Sequence, residues 1–144
     1  MTRLASIIFV LLFISVTANA AETPGRESKN PVKMFAPGNT VEVYYFHYSR
    51  RCATCNAVED ETKKALEEYF KKQLDEGEIT FLSVNIEEEG SETLTDLYQI
   101  SGQALLLVGG EESIDLTDKA FMNARTKPEK FREMVKETVL KLIE

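Results

Sequence analysis

The sequence contains two cysteines, Cys52 and Cys55, which stand three positions apart. Two thiols at this spacing can exchange with other disulfides, close a small structural loop or supply part of a metal site. A structural bridge across so short a loop contributes only roughly 2 kcal/mol before strain. Zinc takes four ligands, of which this pair supplies two, and we expect no metal and no cofactor. Thiol–disulfide exchange is therefore the chemistry that the pair favours, and an inactive pair on a binding module is an alternative.

The cysteines stand between a predicted strand and a predicted helix. Val41–His47 is rich in β-branched and aromatic residues and predicts a strand, and an amphipathic pattern over 55–74 predicts a helix. Cys52 then lies at the helix N-terminus, where unpaired N–H groups and the helix dipole favour a thiolate. Cys55 lies on the inner stripe of the helix. We expect Cys52 to attack and Cys55, which is sheltered, to resolve the mixed disulfide.

Three charged or titratable side chains lie near the pair in sequence. Arg50 and Arg51 precede Cys52 directly, and their positive charges are expected to lower the pKa of its thiol. His47, the single histidine, either assists proton transfer or is a buried structural residue at the strand end. We favour the structural interpretation.

The remaining pattern predicts the element order β-α-β-α-β-β-α, typical of an α/β domain with a mixed sheet covered on both faces. The further strands are expected at 79–86, 105–108 and 113–116, with a tight turn at Gly109 and Gly110. Two further helices are expected, at 91–100 and at 128–143. The first is expected to bury Leu94, Leu97 and Tyr98.

Charged residues follow the outer face of the first predicted helix. Four pairs have the favourable acid-first i,i+4 order, and we expect this face to be solvated: Glu59/Lys63, Asp60/Lys64, Glu67/Lys71 and Glu68/Lys72.

The N-terminal segment predicts export. Arg3 precedes an apolar run over 4–16, and Ala18-Asn19-Ala20 ends it in the manner of a cleavable signal peptide at 1–20. An uncleaved anchor is the alternative, although the run is short for a membrane span. A lead-in or tether at 21–40 holds three of the four prolines, and one domain is expected at 41–144. We therefore expect a periplasmic or secreted protein.

The charge balance excludes some partners. Without 1–20 the chain carries 16 Lys and Arg against 24 Asp and Glu, a net charge of −8. So acidic a chain has no basic patch for nucleic acid or for anionic membrane. Protein thiols or disulfides are the expected partners, and a monomer is the expected state.

These features together resemble the thioredoxin superfamily across roughly 41–144. The resemblance is carried by the strand, the Cys52-Ala53-Thr54-Cys55 motif, the helix and the segment YQISGQALLLV at 98–108. It implies a four-stranded mixed sheet with the dithiol at the edge of a shallow, partly apolar surface. Cys52 is then the nucleophile and Cys55 the resolving cysteine, and Tyr48, Arg50, Arg51, Gln103 and Ala104 are expected to tune the site or contact substrate.

Two positions depart from the family pattern. Thioredoxins place a cis-proline before the third strand, where this chain has Ala104, so we expect a trans peptide bond. They also carry a buried acid six residues before the nucleophile, where this chain has Phe46. The resemblance thus implies an extracytoplasmic thiol–disulfide oxidoreductase with a restricted set of protein partners. A non-catalytic thioredoxin-like binding module and metal delivery through the dithiol are the alternatives.

Overall fold

The computed structural model describes residues 40–143. The predicted signal peptide and nearly all of the predicted lead-in lie outside these residues. The described elements are β1 (Val41–His47), α1 (Ala53–Glu76), β2 (Ile79–Asn85), α2 (Glu92–Leu97), β3 (Ala104–Gly109), β4 (Glu112–Asp115), α3 (Thr117–Asn123) and α4 (Pro128–Ile143).

The strands form one mixed sheet in the order β2-β1-β3-β4. β1 pairs in parallel with β2 and antiparallel with β3, and β4 returns antiparallel beside β3. A parallel pair needs a crossover, which α1 supplies, and the β3–β4 pair needs only a tight turn. This topology is the thioredoxin-like fold, and the predicted fold class is confirmed.

Both faces of β1 are buried, because alternate side chains of the strand enter different clusters. Val41, Val43 and Tyr45 pack with side chains of α1, α3 and α4, and Phe131 of α4 is fully buried among them. Tyr44 and Phe46 face the other side and pack against α2. The period-two alternation of a strand explains this division, and it makes β1 the strand that positions the start of α1.

The structure adds one helix and corrects two details of the prediction. α3 occupies Thr117–Asn123, where no element was predicted, and buries Ala120 against the main core. α2 ends at Leu97, which is 65% exposed and not buried as expected. Of the two glycines predicted to form the β3–β4 turn, Gly110 lies in the turn and has positive φ (58°), whereas Gly109 is the last residue of β3.

The outer face of α1 is only partly solvated. Of the predicted i,i+4 pairs, Glu59–Lys63 forms at 2.6 Å, whereas Lys71 and Lys72 bond to Asp75 and Glu76 on the following turn. Lys64 bonds to Glu61 at 2.7 Å instead of Asp60.

Two carboxylates of this face, Glu59 and Glu61, are buried beneath arginines from other parts of the chain. Arg51 bonds to Glu59, and Arg132 of α4 bonds to Glu61. The expectation of a fully solvated face was wrong here, because i,i+4 spacing takes no account of cations that the tertiary fold brings over the helix.

Glu61→Gln is expected to reduce the free energy of unfolding by about 1–3 kcal/mol at pH 7, because it weakens the charged hydrogen bonds that tie α1 to α4. Burial raises the pKa of the Glu61 carboxyl, but hydrogen bonds from Lys64 and Arg132 outweigh burial and hold that pKa below its usual range. A pKa that is lower in the folded protein than in the unfolded chain adds stability. This stability is fully present above the pKa of the unfolded chain, about 4.3, and is lost as the pH falls through the pKa of the folded protein. The variant should therefore lose less stability than the wild type as the pH falls from about 5 through the lowered pKa of Glu61 in the folded protein.

Urea unfolding at each pH measures this difference. Glu67→Gln is the matched control, because Glu67 is exposed on the same helix and makes no salt bridge within residues 40–143. Equal stability of both variants at every pH would contradict a structural role for the Glu61–Arg132 pair.

Candidate functional site

Cys52 is the N-cap residue of α1. Its backbone is extended (φ −90°, ψ 168°), and its sulfur accepts a hydrogen bond from the Cys55 N–H at 3.2 Å. Its carbonyl accepts the Asn56 N–H at 3.0 Å, the first bond of the helix. An N-cap normally uses the side-chain oxygen of Ser, Thr, Asp or Asn. Here the cap is an exposed sulfur, so the Cys55 N–H at the start of the helix points at the atom that would carry the negative charge.

Cys55 lies on the inner side of the same turn and is 2% exposed. Its sulfur is within bonding distance of the Cys52 sulfur, and the two Cα atoms are 5.1 Å apart, inside the range that disulfides require. The Tyr45 hydroxyl donates to the Cys55 carbonyl at 2.9 Å. β1 therefore holds the turn that contains both cysteines.

The loop that leads from β1 to Cys52 is fastened to the end of β2. The Ser49 N–H donates to the Glu87 carboxylate at 2.8 Å, and the Asn85 amide donates to the Ser49 hydroxyl at 3.0 Å. The hydrogen bonds from Ser49 lower the pKa of the Glu87 carboxyl. His47, at the end of β1, is buried and its Nδ1 lies 2.9 Å from the Tyr48 carbonyl, which fits the structural interpretation of this residue.

The segment before β3 completes the site on its other side. Gln103 Oε1 lies 3.6 Å from the Cys55 sulfur, where it can accept a hydrogen bond from the reduced thiol. Ala104 is buried in β3 opposite Phe46, and residues 40–143 contain no cis peptide bond, so the bond before Ala104 is trans as expected. Tyr48 is 37% exposed, and its hydroxyl would lie 3.5 Å from a Cβ added to Gly102. Gln103 is thus brought to the dithiol, Tyr48 lies against the same segment at Gly102, and Ala104 follows Gln103 at the start of β3.

The two arginines differ in their surroundings. Arg50 is exposed, and within residues 40–143 it forms no salt bridge. Arg51 bonds to Glu59, and its guanidinium carbon lies 5.5 Å from the centre of the Tyr45 ring. The positive charge of Arg51 is therefore paired with a buried carboxylate, whereas that of Arg50 is exposed.

Glu59 and Tyr45 are the site residues that the sequence prediction missed. Burial raises the pKa of the Glu59 carboxyl, but hydrogen bonds from Lys63 and Arg51 outweigh burial and leave that pKa below its usual range. Burial raises the pKa of the Tyr45 hydroxyl, and the charge of Arg51 opposes the rise. One signal was present in the sequence: Glu59 lies four positions after Cys55, a spacing that places it at the edge of the inner stripe of the helix.

A polar groove of about 550 Å³ lies beside Gln103. One wall is the segment 99–104, and the other comes from the end of β4 and the start of α3, with Asp115, Thr117, Asp118 and Lys119. Within residues 40–143 no three His, Cys, Asp or Glu side chains are grouped to hold a metal ion. No helix in that range is long and apolar enough to cross a bilayer.

No protein-family model and no curated protein matches the chain. Two solved structures are similar to it, each at 20% sequence identity and a TM-score of 0.39. One is a malarial protein, matched over 58% of this chain and 94% of that one. The other contains the first two thioredoxin domains of Naumovozyma dairenensis Eps1p, matched over 69% of this chain and 43% of that one. The assignment of the thioredoxin-like fold rests on the strand order and pairing.

In the reduced protein, iodoacetamide is expected to modify Cys52 at least tenfold faster than Cys55 (an order-of-magnitude expectation), because Cys52 is exposed at a helix N-terminus and Cys55 is buried. Mass spectrometry of peptides after timed quenching measures both rates. In about 8 M urea the two rates should converge, since the helix and its shelter are then lost. Equal rates in the native protein would contradict the division into an attacking and a resolving thiol.

Proposed function

We propose that this chain is a member of the thioredoxin superfamily and an extracytoplasmic thiol–disulfide oxidoreductase that acts on a restricted set of protein partners. The observation that carries the proposal is the pairing of an exposed N-cap sulfur, Cys52, with a buried sulfur one turn away, Cys55. A bridge made only for stability does not need one sulfur on the surface at the start of a helix.

The two sulfurs suit a two-step exchange. The Cys52 thiolate attacks one sulfur of a partner disulfide, and the other partner sulfur leaves as a thiolate that takes up a proton. Cys55 then loses its proton and attacks the Cys52 sulfur. The Cys52–Cys55 disulfide forms, the second partner thiol is released, and two electrons have passed to the partner. The reverse sequence oxidises a partner dithiol, so the same atoms serve either direction.

The segment before β3 supports the restriction to particular partners. Ala104 follows a trans peptide bond and is buried in the sheet, and Gln103 lies against Cys55. Tyr48 stands over Gly102 in the same segment. A partner that reaches Cys52 must fit against these side chains. Thioredoxins are expected to have a cis-proline where this chain has Ala104.

Export rests on the sequence pattern of residues 1–20, with Arg3, an apolar run and a small-residue ending. Expression of the full chain in a bacterium, followed by osmotic shock and mass measurement, tests it. A released protein that begins at Ala21 supports export and cleavage. A cell-associated protein that retains Met1 would overturn this part of the proposal.

Cys55→Ser is expected to accumulate mixed disulfides with partner proteins in the exported fraction, because Cys52 can attack but nothing resolves the product. Non-reducing gels followed by mass spectrometry of excised bands identify the partners. Few bands are expected if the partners are restricted, and all should disappear on reduction.

Cys52→Ser is the matched control, since it keeps the fold and one thiol but lacks the exposed nucleophile, and it should trap nothing. An empty trap with Cys55→Ser, together with full cellular function of Cys52→Ser, would favour a non-catalytic binding module. Rapid reduction of insulin by the wild-type protein would contradict the restriction to particular partners.

A further inference from the structure

Glu59 is a buried carboxylate close to the dithiol that has no part in the exchange steps described above. It is 7% exposed and lies one helical turn after Cys55 on the same side of α1. Burying a carboxylate is costly unless cations and hydrogen bonds compensate it. Both compensating cations are present: Lys63 bonds to one carboxylate oxygen at 2.6 Å, and Arg51 bonds to the other.

Arg51 is the residue immediately before the attacking cysteine, and its side chain is bonded to Glu59. Glu59 is seven positions beyond Cys52, which corresponds to about 10 Å along the helix axis. The Arg51 guanidinium is held between Glu59 and the Tyr45 ring, and its Nε is buried without a hydrogen-bond partner within residues 40–143. The ion pair with Glu59 and the contact with the Tyr45 ring fix the side chain in this position.

Without this attraction, a guanidinium next in sequence to Cys52 would stabilise the Cys52 thiolate. Stabilising that thiolate stabilises the reduced dithiol and makes the disulfide a stronger oxidant. Glu59 reduces this contribution, because its negative charge compensates the positive charge of the guanidinium.

We infer that Glu59 is a positioning residue that sets the redox balance of the Cys52–Cys55 pair by binding the Arg51 guanidinium and compensating its positive charge. This inference rests on the proposed function, because it assumes that the pair cycles between dithiol and disulfide. On this inference, the Glu59–Arg51 salt bridge controls how strongly oxidising the Cys52–Cys55 disulfide is.

Glu61 provides a control within the same helix. It is buried to nearly the same degree, at 9% exposure, and is likewise bonded by one lysine and one arginine, Lys64 and Arg132. Its arginine comes from α4 and not from the loop that carries Cys52. Loss of either carboxylate should therefore weaken the fold similarly, while only the loss of Glu59 should alter the dithiol.

The test equilibrates the full-length protein with mixtures of reduced and oxidised glutathione at pH 7 and measures the fraction of dithiol. For Glu59→Gln, the equilibrium is expected to shift toward the dithiol by about threefold to tenfold, since the Arg51 charge is no longer compensated. A tenfold change corresponds to about 30 mV. Glu61→Gln should remain within about twofold of the wild type, the scatter expected where no charge near the dithiol changes.

Arg51→Gln tests the same pair from its other side. It removes the positive charge and leaves Glu59 with Lys63 alone, so the equilibrium should shift toward the disulfide. The double variant Arg51→Gln/Glu59→Gln removes both charges and should return close to the wild-type value, a coupling that a double-mutant cycle measures.

The pH dependence of Cys52 alkylation in the reduced proteins gives a second measurement that a merely structural role would not alter. The charged and titratable groups that face Glu59 are Arg51, Lys63 and Tyr45. Alkylation requires the thiolate, so a displaced alkylation profile reports the cysteine. The profile of Glu59→Gln should lie at lower pH than that of the wild type, and the profile of Glu61→Gln should overlay it.

A wild-type protein that equilibrates with glutathione, together with Glu59→Gln and Arg51→Gln variants that both match it within twofold, would overturn the inference and leave the proposed function intact. A wild-type pair that does not respond to glutathione at any ratio would instead contradict the proposed function. If Glu59→Gln fails to fold, the comparison of Arg51→Gln with Arg51→Gln/Glu59→Gln decides the inference, since an Arg51→Gln shift that the second substitution leaves unchanged would overturn it.

Discussion

The start of α1 is the constraint on which the rest of the site depends. A helix begins with N–H groups that have no partner inside it, and here the Cys52 sulfur accepts one of them from Cys55. The position of that sulfur is set from the sheet, because Tyr45 of β1 holds the Cys55 carbonyl and the loop at Ser49 is bonded to Glu87 beyond β2. The order of β1 and β2 in the sheet thus determines where the helix starts and which of its sulfurs meets solvent.

Charge around α1 is arranged in two equivalent pairs with different consequences. Glu59 and Glu61 are both buried and both bonded by an arginine from outside the helix. The Glu61–Arg132 pair joins two helices and serves the packing of α1 against α4. The Glu59–Arg51 pair joins the helix to the residue before Cys52, so the same physical interaction also acts on the chemistry. The two salt bridges differ in their position relative to the dithiol. The Glu61–Arg132 pair therefore serves packing, whereas the Glu59–Arg51 pair also affects the redox balance of the dithiol.

The features that depend on local pattern could be predicted from the sequence, and those that depend on tertiary contacts could not. β1 was predicted with its exact bounds and the dithiol at the start of a helix, because β-branched runs and helix periodicity are properties of neighbouring residues. α3 was missed because its seven residues follow β4 directly, with one buried position at Ala120 and another at Asn123. Leu97 was assigned to the core from its spacing, but α2 ends there and leaves it exposed. Glu59 was assigned to solvent because the sequence does not show that Arg51 folds back over it.

The segment before β3 shows how this chain orders the loop beside the dithiol without proline. α2 closes with the Ile100 N–H bonded to the Thr95 carbonyl at 2.7 Å, and Gln99 between them has positive φ (54°). At the other end the Leu105 N–H donates to the Thr117 hydroxyl at 2.9 Å, so the start of α3 holds the first residues of β3. A proline fixes one backbone angle by itself, whereas here hydrogen bonds from two helices fix both ends of the segment. α3, the helix that the sequence pattern did not predict, therefore helps to place Gln103 against Cys55. The position of the predicted dithiol's neighbour thus depends on an element that the sequence did not reveal.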